Sequence, residues 1–212
     1  MMKTVLILFF MVIFSTALFA ADADDSWIMA NKNPQNMRSV DEDFVKFTKY
    51  AEISFPVKYS DITSSILIED GIIYFGTKNY LDNPKNIIAA YDLELKNIIW
   101  KIDLTDNMNS SPLIVSDSLI FLTSKRFLML NKKKGTIEWE FPLTMAQKGR
   151  GTDPILNDGK VIFGDDAGEI RAIDSKNKKT IWSFKAISAI TGSPAVYKNE
   201  LIVASKLGLL YR

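Results

Sequence analysis

The sequence predicts an all-β fold made of repeated four-stranded antiparallel sheets, and three observations predict it. A small polar pair, a short apolar run, a polar turn and a second apolar run occur in that order four times. An Asp or Asn followed eight residues later by Trp occurs three times. Landmarks from both patterns recur about every forty residues, which is the length of one blade of a β-propeller.

The first pattern predicts the inner two strands of each blade. Its prolines, Pro112, Pro154 and Pro194, are 42 and 40 residues apart. The two apolar runs are joined by short turns such as Asp70-Gly71 and Asp158-Gly159, and glycine tolerates the positive φ that a tight hairpin requires. The four copies begin at Ser64, Ser110, Thr152 and Gly192.

The second pattern predicts the outer two strands and the packing between blades. Each tryptophan is expected to fill the wedge between its own blade and the next, because a buried aromatic ring removes about 150–250 Å² from water. The Asp or Asn eight residues earlier is expected to accept hydrogen bonds from backbone donors in the turn between these strands. The pairs are Asp92 with Trp100, Asn131 with Trp139, and Asp174 with Trp182.

The repeats predict about three and a half blades. The predicted blades lie near 61–105, 106–144 and 150–187, with a partial blade at 188–212. Propellers have about 4–8 blades. Two interpretations stay open: a ring that continues beyond this sequence, which we favour, and a four-bladed ring whose last blade is completed by a strand at Ala51–Val57.

The composition excludes several classes of function. The 212 residues are 47% hydrophobic and 24% charged, which is typical of a folded chain. A formal net charge of +1 gives no basis for a nucleic-acid or anionic-membrane surface, since either would need an excess of basic residues. The absence of Cys and His excludes thiol nucleophiles, Cys/His zinc sites and catalytic triads that use imidazole. We therefore predict no catalytic residues and no metal site.

The N-terminus predicts export. Lys3 precedes an apolar core over Val5–Phe14, and small residues follow up to Ala20. This order is typical of a secretory signal peptide, so we predict a signal over residues 1–20, cleaved after Ala20, and a periplasmic or secreted protein. An uncleaved signal anchor is the alternative; after cleavage no integral membrane span is expected. Residues 21–60 are predicted to be a lead-in that contains the candidate closing strand.

Four residues are candidates for binding at the channel mouth or in a loop. Arg150 and Asp153 precede the inner strand of the third blade, and Tyr80 and Asp82 lie in a loop that is longer than its equivalents. Inserted loops on a regular scaffold are common sites of binding specificity. For Arg150 an ion pair between blades is the alternative to an anionic ligand, and loop decoration without function is the alternative for Tyr80 and Asp82.

Two charged stretches are expected to be solvated turns. Gly164–Glu169 contains three carboxylates but lacks the ligand spacing of an EF-hand calcium loop. Lys132–Lys134 and Lys176–Lys179 occupy equivalent turns of successive blades, where solvated lysines are expected in preference to phosphate contacts.

The closing segment of each blade resembles that of the pyrroloquinoline-quinone-like β-propeller repeat proteins. Ala172-Ile173-Asp174 with Trp182, and Lys133-Lys134-Gly135 with Trp139, are the stretches that carry the resemblance. One branch of that family consists of quinone- and calcium-dependent alcohol and sugar dehydrogenases. Another branch consists of scaffolds such as the propeller lipoprotein that assists outer-membrane barrel assembly, whose lipid-bearing cysteine this chain lacks.

The resemblance implies a non-enzymatic scaffold that binds other proteins of the cell envelope and carries no cofactor. The alternative that it implies is a fragment of a quinone-dependent dehydrogenase whose cofactor ligands lie outside this chain. Fold and function are separate inferences, because one propeller fold supports many activities.

Overall fold

A computed structural model describes residues 60–62, 65–79, 86–108, 110–143 and 152–212. The predicted signal peptide and the strand predicted at Ala51–Val57 lie outside these residues, as do Tyr80, Asp82 and Arg150. The described residues contain sixteen β-strands and no helix. None of them forms a helix of the length and apolarity required to cross a membrane.

The strands form four antiparallel sheets that follow one another along the chain. The first contains β1 (Ser60–Ile62), β2 (Leu67–Glu69), β3 (Ile72–Asn79), β4 (Asn86–Asp92) and β5 (Asn97–Leu104). The second contains β6 (Leu113–Val115), β7 (Ser118–Leu122), β8 (Arg126–Asn131) and β9 (Ile137–Pro142). The third contains β10 (Ile155–Asn157), β11 (Lys160–Gly164), β12 (Glu169–Asp174) and β13 (Lys179–Lys185), and the fourth contains β14 (Ala195–Tyr197), β15 (Glu200–Ala204) and β16 (Leu210–Tyr211).

The inner hairpins follow from the two-residue turns in the sequence. Asp158 and Gly159 have φ values of 49° and 70°, and the turn pairs Asn157 with Lys160. Both central residues of a type I′ turn need positive φ, and the twist of such a turn matches that of the strands. The hairpin predicted at Asp158-Gly159 is therefore confirmed.

A β-bulge recurs at the same place in the first three sheets. The register shifts between Ala90 and Tyr91, between Met129 and Leu130, and between Ala172 and Ile173. In each sheet the residue before the bulge pairs with the repeated tryptophan, as Ala172 does with Trp182. A bulge bends its strand and increases the local twist. Because the three bulges lie at equivalent positions, the three tryptophans occupy the same register in their sheets.

The hydrophobic core lies between the sheets. Three clusters combine side chains from two neighbouring sheets, which is how stacked β-sheets bury their apolar faces. A fourth cluster, around Phe75, contains residues of the first sheet alone. The cluster between sheets one and two includes Tyr74 and Phe121, the next includes Phe127 and Phe163, and the last includes Ile170 and Val203. The array is open, and the prediction of an all-β fold with four-stranded propeller blades is confirmed.

Candidate functional site

Trp100 fits into the turn of the next sheet. Its indole Nε1 donates a hydrogen bond of 2.8 Å to the carbonyl oxygen of Lys132. The ring lies against Gly135, where a Cβ atom would be 2.6 Å from Cδ2 and Cε3 of Trp100. Gly135 has a φ of +70°, so its lack of a side chain meets both a steric and a conformational requirement.

The other two tryptophans have different surroundings. Trp139 packs 5.4 Å from Phe127 and 5.1 Å from Phe141, between ring centroids. Trp182 is 37% exposed. The three tryptophans occupy the same register in their sheets, but different residues surround their rings. Their common role in packing blades together stays a prediction.

The residue eight positions before each tryptophan accepts hydrogen bonds in the turn between the outer two strands of its sheet. Oδ1 of Asp92 accepts from the backbone N–H groups of Glu94 and Leu95, at 2.9 and 2.8 Å. Equivalent pairs of bonds reach Oδ1 of Asn131 and Oδ1 of Asp174. This is the geometry of an Asx-turn.

The charge of Asp174 is stabilised by its turn. Hydrogen bonds from the backbone and side-chain amides of Asn177 lower the pKa of the Asp174 carboxyl group, with a further bond from the Lys176 backbone. Asn131 makes the same backbone bonds without a charge, so the turn requires the acceptor atom and not the carboxylate.

Asp153 joins a line of hydrogen bonds that links the inner strands of all four sheets. The Ser111 backbone N–H donates to Asp153 Oδ1 at 2.6 Å, and the Asp153 N–H donates to Ser193 Oγ at 3.1 Å. At the other end, Ser111 Oγ donates to Ser65 Oγ at 3.0 Å. We name Ser65, Ser111, Asp153 and Ser193 the inner ladder. Its contacts are between blades, and it is a feature that the sequence analysis did not identify.

The expectation of a solvated turn at Gly164–Glu169 is wrong for Asp165. This side chain is fully buried, and it lies 3.1 Å from a guanidinium nitrogen of Arg171. Its other oxygen accepts from the Glu169 backbone N–H at 2.8 Å. A buried carboxylate requires such partners. The charge pattern did not indicate them, because Arg171 lies on the next strand, β12. Within the described ranges, no group of three or more acidic side chains could hold a metal ion.

An apolar groove lies between the third and fourth sheets. It has a volume of about 200 Å³ and extends from Trp182 and Phe184 to Tyr211. The ring centroids of Phe184 and Tyr211 are 5.4 Å apart. Its remaining lining residues are Ile170, Leu201, Val203 and Arg212.

The fourth sheet lies beside this groove and has three strands within the described residues. Its strand β16 pairs with β15, through Val203 with Tyr211 and Ala204 with Leu210. In the other three sheets, a longer outer strand pairs with the strand at the position of β16. Leu210 is 73% exposed.

Comparison with known protein families gives a match over most of the repeat region. The model of the family described as outer membrane protein assembly factor BamB matches residues 84–211. A curated relative, outer membrane protein assembly factor BamB of Moranella endobia, is 21% identical over 153 residues, covering 71% of this chain and 37% of the relative.

Solved structures of similar fold include a BamB protein and an alcohol dehydrogenase. BamB from Moraxella catarrhalis has a TM-score of 0.59 and 24% identity, and the match covers 70% of this chain and 45% of that one. Quinohemoprotein alcohol dehydrogenase from Comamonas testosteroni has a TM-score of 0.57 and 18% identity, covering 75% of this chain and 27% of that one. The chain thus spans less than half the length of each of these proteins.

Proposed function

The chain belongs to the family described as outer membrane protein assembly factor BamB, and on that premise we propose that it is an exported, non-enzymatic scaffold that binds other envelope proteins. Export rests on the predicted signal peptide with cleavage after Ala20, and it places the protein in the periplasm. The scaffold binds a partner through the apolar groove between the third and fourth sheets.

The groove supports this proposal because its apolar surface is continuous with the core between the third and fourth sheets. Ile170 and Val203 belong to that core and also line the groove. Trp182 and Phe184 extend the same surface to solvent, with exposed fractions of 37% and 47%. Apolar patches of this kind on a soluble chain mark sites of protein interaction.

The other sheets indicate what kind of segment fits. At the position beside β16, each of the first three sheets has an extended strand with aromatic or aliphatic residues at alternate positions, such as Trp139 and Phe141 in β9. An extended segment of this kind can place alternate side chains in an apolar groove. We therefore propose that the partner segment is an extended strand with alternating apolar and polar residues.

Binding of a strand-forming peptide tests the proposal. The probe is a peptide of about ten residues copied from a membrane-spanning strand of a bacterial outer-membrane barrel, which has this alternation. We expect it to bind the full chain and to slow amide exchange at Leu210 and Tyr211. Phe184→Ser should weaken binding about 4- to 12-fold, because Phe184 is 47% exposed and burial of that half contributes about half of the roughly 1.5–3 kcal/mol of a whole phenylalanine.

Ile99→Ser is the matched control. Ile99 is 44% exposed on β5, similar to Phe184, but it does not line the groove. This variant should bind the peptide within about twofold of the original chain, since the substituted surface makes no contact with the probe. Equal losses in both variants, or unchanged exchange at β16, would contradict the proposal.

The alternative function is that of a quinone-dependent dehydrogenase fragment, and the likeness to the Comamonas enzyme favours it at the level of fold. The described residues offer no acidic cluster for the calcium ion that the resemblance implies, so no step through a quinone is derived. Pyrroloquinoline quinone and Ca²⁺ added to the full chain should give no alcohol- or sugar-dependent dye reduction. Dye reduction would favour the dehydrogenase.

A further inference from the structure

Successive turns form one continuous face of the array. In an antiparallel blade, the turn between the first and second strands and the turn between the third and fourth lie at the same end. Two contacts join these turns across blades. Lys132 Nζ lies 2.5 Å from Glu69 Oε2, and Lys178 Nζ donates to the Glu138 carbonyl oxygen at 3.3 Å.

This face is basic in the second, third and fourth sheets. Six of its lysines are exposed, and we name them the lysine turn face: Lys133, Lys134, Lys176, Lys178, Lys179 and Lys198. The acidic residues of the same turns are fewer: Asp117, Asp158 and Asp174. Asp158 is 2.7 Å from Lys160, outside this set, and Oδ1 of Asp174 accepts backbone bonds. Asp117 lies 3.8 Å from Lys133 and offsets the charge of that one lysine. An excess of positive charge therefore remains toward solvent.

The opposite end of the sheets has a different charge pattern. Asp106 and Asp165 are buried there, and they pair with Arg126 and Arg171. The arginines are thus held by specific carboxylates, while the lysines lie in exposed turns. The whole chain has a formal net charge of +1. The positive charge of the lysine turn face therefore comes from the position of its lysines and not from an excess of basic residues in the chain.

An exposed aromatic side chain borders one of these lysines. Tyr197 is 58% exposed beside the turn of the fourth sheet. Lys198 Nζ lies 5.2 Å from the centre of the Tyr197 ring. Lysine beside tyrosine is typical of surfaces that meet the boundary between lipid headgroups and water.

We propose that the lysine turn face docks on the surface of a bilayer that carries anionic lipid. Each lysine near such a surface contributes about 1 kcal/mol of attraction. A bilayer fits better than an acidic protein because the cations are all lysines, spread over three sheets. An ammonium group is a compact, strongly hydrated point charge suited to a diffuse anionic surface, whereas arginine is preferred for shaped carboxylate sites.

Vesicle sedimentation with the full chain tests this docking. Vesicles of phosphatidylcholine with about 30 mol% phosphatidylglycerol are compared with vesicles of phosphatidylcholine alone. We expect binding to the anionic vesicles that is at least about tenfold stronger and that falls as salt rises, because salt screens exposed charges. The fourfold variant K133E/K134E/K176E/K179E should lose at least about tenfold of this binding.

A variant of the opposite end provides the control. Lys125 and Lys206 are exposed lysines at that end, so K125E/K206E should bind anionic vesicles within about twofold of the original chain. Unchanged thermal unfolding of both variants shows that the fold is kept. Equal binding to both vesicle types, or equal losses in the two variants, overturns the proposal. Binding to polyglutamate without binding to vesicles also overturns it, and assigns the face to an acidic protein.

Discussion

At Gly135, the absence of a side chain allows the turn of the second sheet to lie against Trp100. Two separate effects oppose any larger residue. The φ of +70° disfavours L-residues, and an added Cβ atom would be 2.6 Å from the indole ring. We predict that Gly135→Ala lowers the free energy of unfolding by about 2–4 kcal/mol, as the sum of backbone strain and overpacking.

Gly159→Ala separates these two effects. Gly159 also has a φ of +70°, but an added Cβ atom would have no neighbour within 4 Å. This control should cost only the backbone strain, about 1–2 kcal/mol. Denaturant unfolding of both variants measures the difference. Equal losses would mean that the contact between Trp100 and Gly135 adds nothing to the packing of these two blades.

Elements of the blade differ in how far the sequence predicts them. The hairpin at Asp158-Gly159 and the outer turn at Asp174 are predictable because a local preference for positive φ or for an Asx-turn determines each of them. The inner ladder depends on residues about forty positions apart that the packing of successive sheets brings together. The burial of Asp165 was missed for a different reason, because its partner Arg171 is only six residues away but can be identified only after β12 is placed.

Among the predicted binding residues, Asp153 shows how a sequence signal can be interpreted too narrowly. Its position before Pro154 was assigned to the channel mouth, and the described contact is a bond to the neighbouring blade. The second member of the small polar pair is Ser, Ser, Asp and Ser in the four copies. A polar residue at the same position of every repeat indicates contacts between repeats.

The inner ladder yields a prediction at the scale of strands. Asp153→Ala removes the acceptor for the Ser111 N–H and should lower the free energy of unfolding by about 1.5–3 kcal/mol, the range for a hydrogen bond to a charged group. Asp153→Asn is the matched control, because its amide oxygen keeps an acceptor in the same place. It should lose less than about 1 kcal/mol. A similar loss in both variants would indicate that the charge, and not the bond to Ser111, stabilises the inner strands.

Across the whole molecule, burial is uneven along the array. The second sheet contributes side chains to core clusters on both of its faces, including Phe121 on one and Phe127 on the other. The fourth sheet contributes to a cluster on one face, through Val196 and Val203. In repeat proteins, each unit is stabilised by its own residues and by contacts with its neighbours, so a sheet with one covered face has less support.

This difference predicts a gradient of local stability, which amide hydrogen exchange measures. The strands β7 and β15 are matched, because each has five residues and follows a two-residue turn in the same register. All five residues of β7 are buried, whereas one residue of β15 is. We expect the amides of β15 to exchange at least about tenfold faster than those of β7, after correction for sequence, because local opening is easier where fewer apolar contacts are lost. Strand β11 of the third sheet, which has covered faces on both sides, should behave like β7. Equal protection of β7, β11 and β15 would show that the four described sheets unfold as one cooperative unit.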